Sequence, residues 1–207
     1  MPQNKDLKRL VRARMAESGE NYTQALAHVR VGERLDPLPP AWHLTGSHAR
    51  DYELGLLPGA IRDGHRVAQL RLRPDVAQPS GFGALMQSIT ASRYLSRRIR
   101  FSALLRAREV TGWAGLWLRV DGAGGPLLLD NMQNRPVRGT TDWIEGSIVL
   151  EVAEDAESLH FGMLLRGDGA VDLARPRFEE AAAAIPVTVT ASQGAGLPDE
   201  PQALDFG

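Results

Sequence analysis

From residue 42 to about residue 178, apolar and polar residues alternate in short runs, and this period of two restricts the fold more than any other feature. Turn signals rich in glycine and proline separate the runs, as at Pro79-Ser-Gly81 and Gly122-Ala-Gly-Gly-Pro126. Many short strands joined by such turns predict a mainly β fold of the jelly-roll or β-sandwich type. The predicted strands are Tyr52–Leu56, Arg66–Leu72, Phe82–Ile89, Arg98–Leu105, Gly112–Val120, Leu127–Met132, Ile144–Val152, Leu159–Leu165 and Ala170–Phe178.

The strand Gly112–Val120 shows the alternation most clearly. Successive side chains of a strand point to opposite faces, so Trp113, Trp117 and Arg119 share one face. The other face is apolar and carries Ala114, Leu116, Leu118 and Val120. We therefore predict that the apolar face lies in the core. The opposite face pairs flat aromatic surfaces with a guanidinium group that donates hydrogen bonds.

Residues 1–35 predict a basic helical arm. Apolar residues recur at helical spacing from Leu7 to Met15, with lysine and arginine on the remaining face. The pair Ser18-Gly19 predicts the end of this helix, and Thr23 is a candidate N-cap of a second, shorter one. Such an arm either packs as a solvated helical unit on the main domain or on a second copy, or docks a partner.

The remaining chain divides into a linker, the β domain and a tail. Residues 36–41 contain three prolines and predict an extended linker. The jelly roll is expected over residues 42–180. In the tail, residues 181–207, Ile185–Thr190 is one candidate strand, and Leu204–Phe206 is a candidate edge strand of the sandwich because two bulky apolar residues alternate there.

The composition excludes several classes of protein. A net charge of −1 over 207 residues argues against a surface devoted wholly to nucleic acid or membrane. The chain has no cysteine, so it has no disulfide framework, thiolate metal site or thiol nucleophile. The first thirty residues are charged and contain no apolar leader segment, and no uncharged apolar run approaches the roughly 18 residues of a membrane-spanning helix. We therefore expect a cytoplasmic protein without a membrane partner.

The residue types around Trp113 favour a site for a small polar ligand with a ring. Aromatic side chains give such a ligand apolar contact, and amide, carboxylate and guanidinium groups fix its orientation. Strands of one sheet lie ~4.8 Å apart, so side chains of three neighbouring strands can converge on one ligand. The predicted ligand-binding residues are Gln87, Trp113, Trp117, Arg119, Asp130, Asn131 and Gln133. Each tryptophan is alternatively explained as buried packing.

Catalytic chemistry has one candidate location, the loop from His43 to Asp51. It holds His43, Ser47, His48 and Asp51, a set that a hydrolase or a metal site would use. The spacing matches no familiar metal-ligand pattern, and no strand–turn–helix elbow exposes the serine. We therefore predict a protein that is not an enzyme and has no cofactor and no metal ion, with a hydrolase at this loop as the second alternative.

The first alternative is a regulatory subunit that binds a protein or DNA through the arm and an arginine-rich strand. Six arginines fall within sixteen residues, with Tyr94 and Phe101 interleaved: Arg93, Arg97, Arg98, Arg100, Arg106 and Arg108. Alternation distributes them over both faces, so a solvated strand is the simpler explanation and nucleic acid is not the expected partner. A regulatory protein and a second copy of the chain remain open as partners.

Four segments, GFGALMQ, GWAGLWLRVDG, LLLDNMQNRPVRGTTDW and DAESLHFGMLL, resemble an uncharacterised bacterial jelly-roll domain. That domain occurs alone or attached to AraC-type transcriptional regulators, and it is similar to galactose-binding-like carbohydrate-binding modules. The resemblance covers about residues 40 to 180. It implies a sugar-binding fold, a core position for Trp143 and use as a ligand sensor for a regulatory partner. In those modules paired acids of the last strand hold a structural calcium, but Ala174 and Arg175 stand there in this chain.

Overall fold

The computed structural model describes residues 3–19, 21–23, 25 and 34–189, and in this part of the chain eleven strands form two antiparallel sheets. The strands are β1 (His43–Thr45), β2 (Tyr52–Arg62), β3 (His65–Leu72), β4 (Phe82–Thr90), β5 (Arg98–Arg108), β6 (Val110–Gly122), β7 (Gly125–Asp130), β8 (Val137–Gly139), β9 (Ile144–Glu151), β10 (Ala156–Arg166) and β11 (Ala170–Glu180). A short 3-10 helix, Ala49–Asp51, precedes β2. The mainly β sandwich of jelly-roll type is thus confirmed.

The two sheets have different strand orders. The front sheet has the order β1-β4-β10-β6-β7, with β8 paired to β6 beyond the end of β7. The back sheet has the order β2-β3-β11-β5-β9. Sequential neighbours are therefore often in different sheets, which is the arrangement of a Greek-key sandwich.

The core lies between the two sheets and is built from their inner faces. From the front sheet, Leu116, Leu118 and Met163 are fully buried, and from the back sheet so are Phe101 and Leu105. Alternation along each strand places these residues inside, and a fully buried side chain of this size contributes about 1.5–3 kcal/mol.

Aromatic side chains form a cluster within the core. The rings of Phe161 and Phe178 stack with centroids 4.5 Å apart, and Trp42 meets Phe161 edge-on at 5.6 Å. These contacts join both sheets because Phe161 belongs to β10 and Phe178 to β11. Trp42, just before β1, is thereby held against the sandwich.

All nine predicted strands are present, most of them longer than predicted, and the structure adds the three-residue strands β1 and β8. The candidate strand Ile185–Thr190 does not form over residues 185–189. Instead, Thr188 is fixed to β9 by its backbone N–H and its hydroxyl, which both donate to the carbonyl oxygen of Val149. The candidate strand Leu204–Phe206 lies outside the described residues.

The arm begins with the helix α1, Gln3–Ser18, as the apolar spacing predicts. Gly19 has a positive φ of 70°, and its N–H donates to the carbonyl of Met15, so the helix ends at the predicted glycine. A further helical turn is fixed by the N–H of Ala25, which donates to Asn21, so Thr23 lies inside that turn and is not its N-cap. The rest of the predicted second helix lies outside the described residues.

The proline-rich segment contacts the sandwich. Asp36 and Leu56 form an antiparallel bridge, with reciprocal backbone hydrogen bonds of 2.9 Å. Asp36 also makes a salt bridge to Arg66 of β3, and Leu38 packs against the main core. An extended proline segment leaves its carbonyls free for such contacts. This part of the chain therefore lies along the β2 edge of the back sheet.

Candidate functional site

Trp113, Trp117 and Arg119 lie together on the outer face of the front sheet. Their strand, β6, pairs with β10 so that Trp117 is opposite Gly162 and Arg119 is opposite His160. The intervening residues Leu116 and Leu118 are in the core. The geometry predicted from alternation alone is therefore present, and the face also carries side chains of β4 and β10.

Trp117 lies flat across the sheet. Its indole Nε1 donates a hydrogen bond of 3.2 Å to the carbonyl of Leu85 in β4, so the ring crosses β10 above Gly162, where no side chain obstructs it. The residue is only 7% exposed. Trp117 is thus part of the floor of this face, and the side of its ring that lies against the sheet is not available to a ligand.

Around Trp117 the outer face is apolar over three strands. We call this group the apolar patch: Phe82, Ala84, Met86, Trp113, Trp117 and Leu164. Ala84 and Leu164 are buried, Met86 and Trp113 are half-buried, and Phe82 is 37% exposed. Outward positions of a sandwich sheet usually carry polar residues, so an apolar patch here is unusual.

Two residues further along the same strands the face becomes polar. His160 Nδ1 lies 2.8 Å from Ser88 Oγ, and His160 Nε2 lies 3.0 Å from Ser158 Oγ and 3.3 Å from Asp121 Oδ2. Arg119 Nη2 donates to the same Asp121 Oδ2 at 2.7 Å. We call these five residues, from three adjacent strands, the polar row.

Two atoms of the polar row are buried without a hydrogen-bond partner in the described chain. They are Nε of Arg119, a donor, and Oδ1 of Asp121, an acceptor. Leaving a buried polar atom unsatisfied costs about 1–3 kcal/mol, so such atoms are uncommon in native structures and call for an explanation. Here the donor and the acceptor that lack a partner belong to two side chains that bond directly to each other.

The same surroundings lower the pKa of His160 below its ordinary value. Burial is the largest cause because it disfavours the charged ring, and the positive charge of Arg119 acts in the same direction. The carboxylate of Asp121 opposes both effects, through its charge and its hydrogen bond. The ring is therefore neutral at pH 7, with one nitrogen that donates and one that accepts.

Gln87 and Asp130 do not join this face. Gln87 is opposite Phe161 in the β4–β10 ladder, and Asp130 is opposite Leu118 in the β6–β7 ladder, so both lie on the inner side of the front sheet. The predicted convergence of all seven residues is therefore wrong for these two. The sequence already indicated the inner position of Gln87, because Leu85 and Ile89, two residues before and after it, are both apolar.

Asp130 has a structural role instead. It is 3% exposed, accepts a hydrogen bond of 2.8 Å from the N–H of Met132 and is held by Arg135 at 2.6 Å. Burial raises the pKa of Asp130, but the hydrogen bonds and charge of Arg135, together with the hydrogen bond from the Met132 N–H, outweigh it, so the pKa is lowered. The carboxylate thus stays ionised and fixes the loop that follows β7.

Asn131 and Gln133 belong to that loop. The side-chain oxygen of Asn131 accepts the N–H of Gln133 at 3.1 Å, which is a local turn contact. The loop approaches β6 at Gly115: a Cβ there would lie 3.3 Å from the carbonyl oxygen of Asn131. The loop that carries both amides therefore lies against the strand of Trp113 and Trp117, and neither amide belongs to the polar row.

The arginines of the arginine-rich strand form ion pairs with acidic residues. Arg106 and Arg108 both bind Asp172 of β11, which is fully buried and also accepts from Gln69 at 2.8 Å. Three further arginines of the run pair with carboxylates: Arg97 with Glu180, Arg98 with Glu151 and Arg100 with Glu145. The cations predicted as an alternative nucleic-acid surface are thus largely matched by acids of neighbouring strands.

Trp143 lies on the outer side of the back sheet and not in the main core. It is half-buried among Leu57, Val67 and Ala174, and the guanidinium of Arg106 stacks over its ring at 4.7 Å. The expectation that Trp143 packs into the core is therefore wrong in detail. It packs in a second, smaller apolar cluster.

The loop from His43 to Asp51 shows only local contacts of its serine. Ser47 Oγ is 3.3 Å from the ring of its neighbour His48 and accepts the backbone N–H of Phe82 at 3.2 Å. Such contacts hold a turn against β4. Across the described residues, no three histidine, aspartate or glutamate side chains gather in a way that would hold a metal ion.

No protein-family model matches the chain. It is 38% identical over 167 residues to the uncharacterized HTH-type transcriptional regulator YbfP of Bacillus subtilis (strain 168), a match that covers 80% of this chain and 56% of that protein. The chain thus spans little more than half the length of this curated relative. In the helical part that is described, no apolar segment has the length needed to span a bilayer.

Solved structures share the fold at low sequence identity. The enzymatically active domain of tailspike protein 4 of bacteriophage CBA120 has a TM-score of 0.51 and 9% identity, over 69% of this chain and 20% of that one. The CBM22-1 xylan-binding domain of Xyn10C from Paenibacillus barcinonensis has a TM-score of 0.49 and 12% identity, over 72% of this chain and 91% of that one. At these identities the likeness concerns the fold alone.

Proposed function

We propose that the outer face of the front sheet binds a small polar ligand, a sugar or glycoside-like metabolite, and does not convert it. The observation that carries this proposal is the unsatisfied pair in the polar row, Nε of Arg119 and Oδ1 of Asp121. Both atoms are closed to solvent in the unliganded chain, so a ligand reaches them when the Arg119 and Asp121 side chains move apart. A sugar hydroxyl both accepts and donates hydrogen bonds, so neighbouring hydroxyls then satisfy both atoms together. Ligand binding would then regain the free energy that is lost while both atoms lack a hydrogen-bond partner.

The other residues of the face fit the same ligand. His160, Ser88 and Ser158 supply hydroxyl and imidazole groups on the adjacent strands, at the ~4.8 Å spacing of a sheet. The exposed part of Trp113 offers apolar contact, whereas Trp117 supports the floor beneath. Asn131 and Gln133 remain candidate contacts from the side of β6.

A binding role is favoured over catalysis by the directions of these contacts. Ser88, His160 and Asp121 form a hydrogen-bonded set of the residue types that nucleophilic enzymes use. An enzyme of that kind also needs donors aimed at a developing oxyanion next to the serine. Arg119 is instead directed at Asp121, and Nε2 of His160 is shared between Asp121 and Ser158.

A regulatory use is supported by the name of the relative. YbfP is called an HTH-type transcriptional regulator, and it is longer than the part that this chain matches. We propose that the chain acts in the cytoplasm as the ligand-sensing partner of a regulatory protein. The arm would provide the contact to that partner.

Substitution of the unsatisfied pair tests the proposed site. Calorimetric titration of a panel of methyl glycosides should identify a ligand whose affinity falls about 10- to 100-fold in Arg119→Met and in Asp121→Ala, because each variant removes one partner of a buried hydrogen bond. Arg177→Met, an exposed position of the back sheet, is the matched control and should bind as the unmodified protein does.

Thermal unfolding must accompany these titrations. Arg119 keeps 34% of its side chain exposed, so its replacement should move the melting temperature by only a few degrees. Unchanged affinity in both folded variants would show that the ligand binds elsewhere on the protein.

A further inference from the structure

The polar row and the apolar patch form one continuous surface. Trp117 of the patch and Arg119 of the row are two residues apart on β6, Gly162 and His160 are their partners on β10, and Met86 and Ser88 follow on β4. Two residues of a strand span roughly 6.6 Å. The outer face of the front sheet therefore changes from polar to apolar within the length of one sugar ring.

The apolar patch is not fully covered by its own packing. Ala84, Trp117 and Leu164 are nearly inaccessible, but Met86 and Trp113 above them are half-buried, and Phe82 keeps 37% of its surface exposed. Single exposed apolar residues are ordinary on protein surfaces. A contiguous group next to an unsatisfied donor and acceptor indicates instead an extended binding surface.

We propose that the ligand is amphiphilic: a polyol group bound at Arg119 and Asp121, with an aliphatic or aromatic group directed along the strands onto Met86 and Trp113. This inference rests on the proposed function and specifies the ligand of the same face as a glycoside with an apolar aglycone. Met86 suits the role because an unbranched thioether side chain adapts to apolar groups of different shape. Met86 is then a residue that determines specificity.

Matched pairs of glycosides test this proposal. Methyl and hexyl glycosides of the same sugars are titrated into the full chain by calorimetry, with the hexyl compounds below the concentration at which they form micelles. We expect the hexyl compound to bind at least tenfold more tightly, since the burial of roughly two methylene groups already gives this factor. Met86→Gln, a polar residue of similar size, should reduce the ratio of hexyl to methyl glycoside affinity to less than threefold.

Ile61→Gln is the matched control. Ile61 is 61% exposed and belongs to β2 of the back sheet, so its variant should keep the full hexyl advantage. Equal affinity for both members of a pair would overturn the amphiphilic ligand while methyl glycoside binding, lost in Arg119→Met, still supported the proposed function. A hexyl advantage that persists in Met86→Gln would also overturn it. Binding of neither compound of any pair would overturn both proposals.

Discussion

His160 is the residue of the polar row whose protonation links the row to pH. Its folded pKa lies below the ordinary value of 6.5, chiefly because of burial. A group with a lowered folded pKa contributes stability that is present above the unfolded pKa and lost as the pH falls through the folded one. The unliganded protein should therefore lose stability from this residue as the pH falls below about 6.5.

The two charged neighbours of His160 should shift its pKa in opposite directions. Removal of the carboxylate in Asp121→Asn lowers the pKa further, because Asp121 favours the charged ring. Removal of the guanidinium in Arg119→Met raises it. Titration of the imidazole resonances by NMR measures both shifts, and Arg100→Met on the back sheet should leave the resonances of His160 unchanged. Shifts of the same sign in the two variants would contradict the geometry described here.

For single residues, the sequence predicts which side chains share a face of the sheet better than it predicts which residues of other strands they contact. The shared face of Trp113, Trp117 and Arg119 follows from alternation, and Asp121 continues the same pattern two residues later. His160 was not predictable as their neighbour. It is 72 residues from Ser88 and 39 from Asp121 in the chain, and only the register of three strands brings them together. That pairing register cannot be inferred from the residues of any one strand.

Strand β10 depends on Gly162 at its centre. A Cβ at this position would lie 1.9 Å from the carbonyl oxygen of Leu85, the oxygen that accepts the indole N–H of Trp117. In Gly162→Ala, β4 and β10 must separate and Trp117 must leave its place. Overpacking costs about 1–3 kcal/mol and outweighs the 0.4–1 kcal/mol that a Gly→Ala change contributes through the unfolded state.

Urea unfolding followed by circular dichroism measures this effect. The free energy of unfolding should fall by about 2 kcal/mol in Gly162→Ala. Gly124→Ala is the control, because a Cβ in that turn would meet no atom within 4 Å. Its stability should remain unchanged or rise slightly. An equally stable Gly162→Ala variant would mean that the two strands have more space than the structure shows.

Elements were predictable where the alternation persisted for five residues or more. The nine long strands satisfy this condition, but β1 and β8 have only three residues each, too few for a period of two to be recognised. Strand ends were underestimated where irregularities interrupt the pattern, as in β2, whose pairing with β3 shifts between Leu56 and Ile61. Ile185–Thr190 has the composition of a strand, but its contact with β9 is made at Thr188, whose hydroxyl accepts the N–H of Val149 and whose N–H donates to the carbonyl of Val149.

For the whole molecule, turn spacing predicted a sandwich but not the order of its strands. That order explains what happens to the arginine-rich strand β5. It lies between β9 and β11, and both neighbours supply acids: Glu145 and Glu151 from β9, and Asp172 from β11. The nearly equal totals of 24 basic and 25 acidic residues thus reflect local pairing as well as overall balance.

Charge pairing of this kind predicts weak binding of DNA. Affinity for DNA arises mainly from cations that displace counterions, and arginines already paired with carboxylates displace few. We expect the full chain to bind a labelled 20-base-pair duplex with a dissociation constant no tighter than about 10⁻⁵ M at 0.15 M salt, as measured by fluorescence anisotropy.

Submicromolar binding that weakened about a thousandfold between 50 and 200 mM salt would contradict this expectation and favour the nucleic-acid alternative. Two double variants would then locate the contact, Arg98→Gln with Arg100→Gln on β5, and Lys8→Gln with Arg9→Gln on the exposed side of α1. A loss confined to the second pair would assign DNA contact to the arm and leave the front face for the ligand. Sensor and DNA contact would then occupy separate parts of one chain.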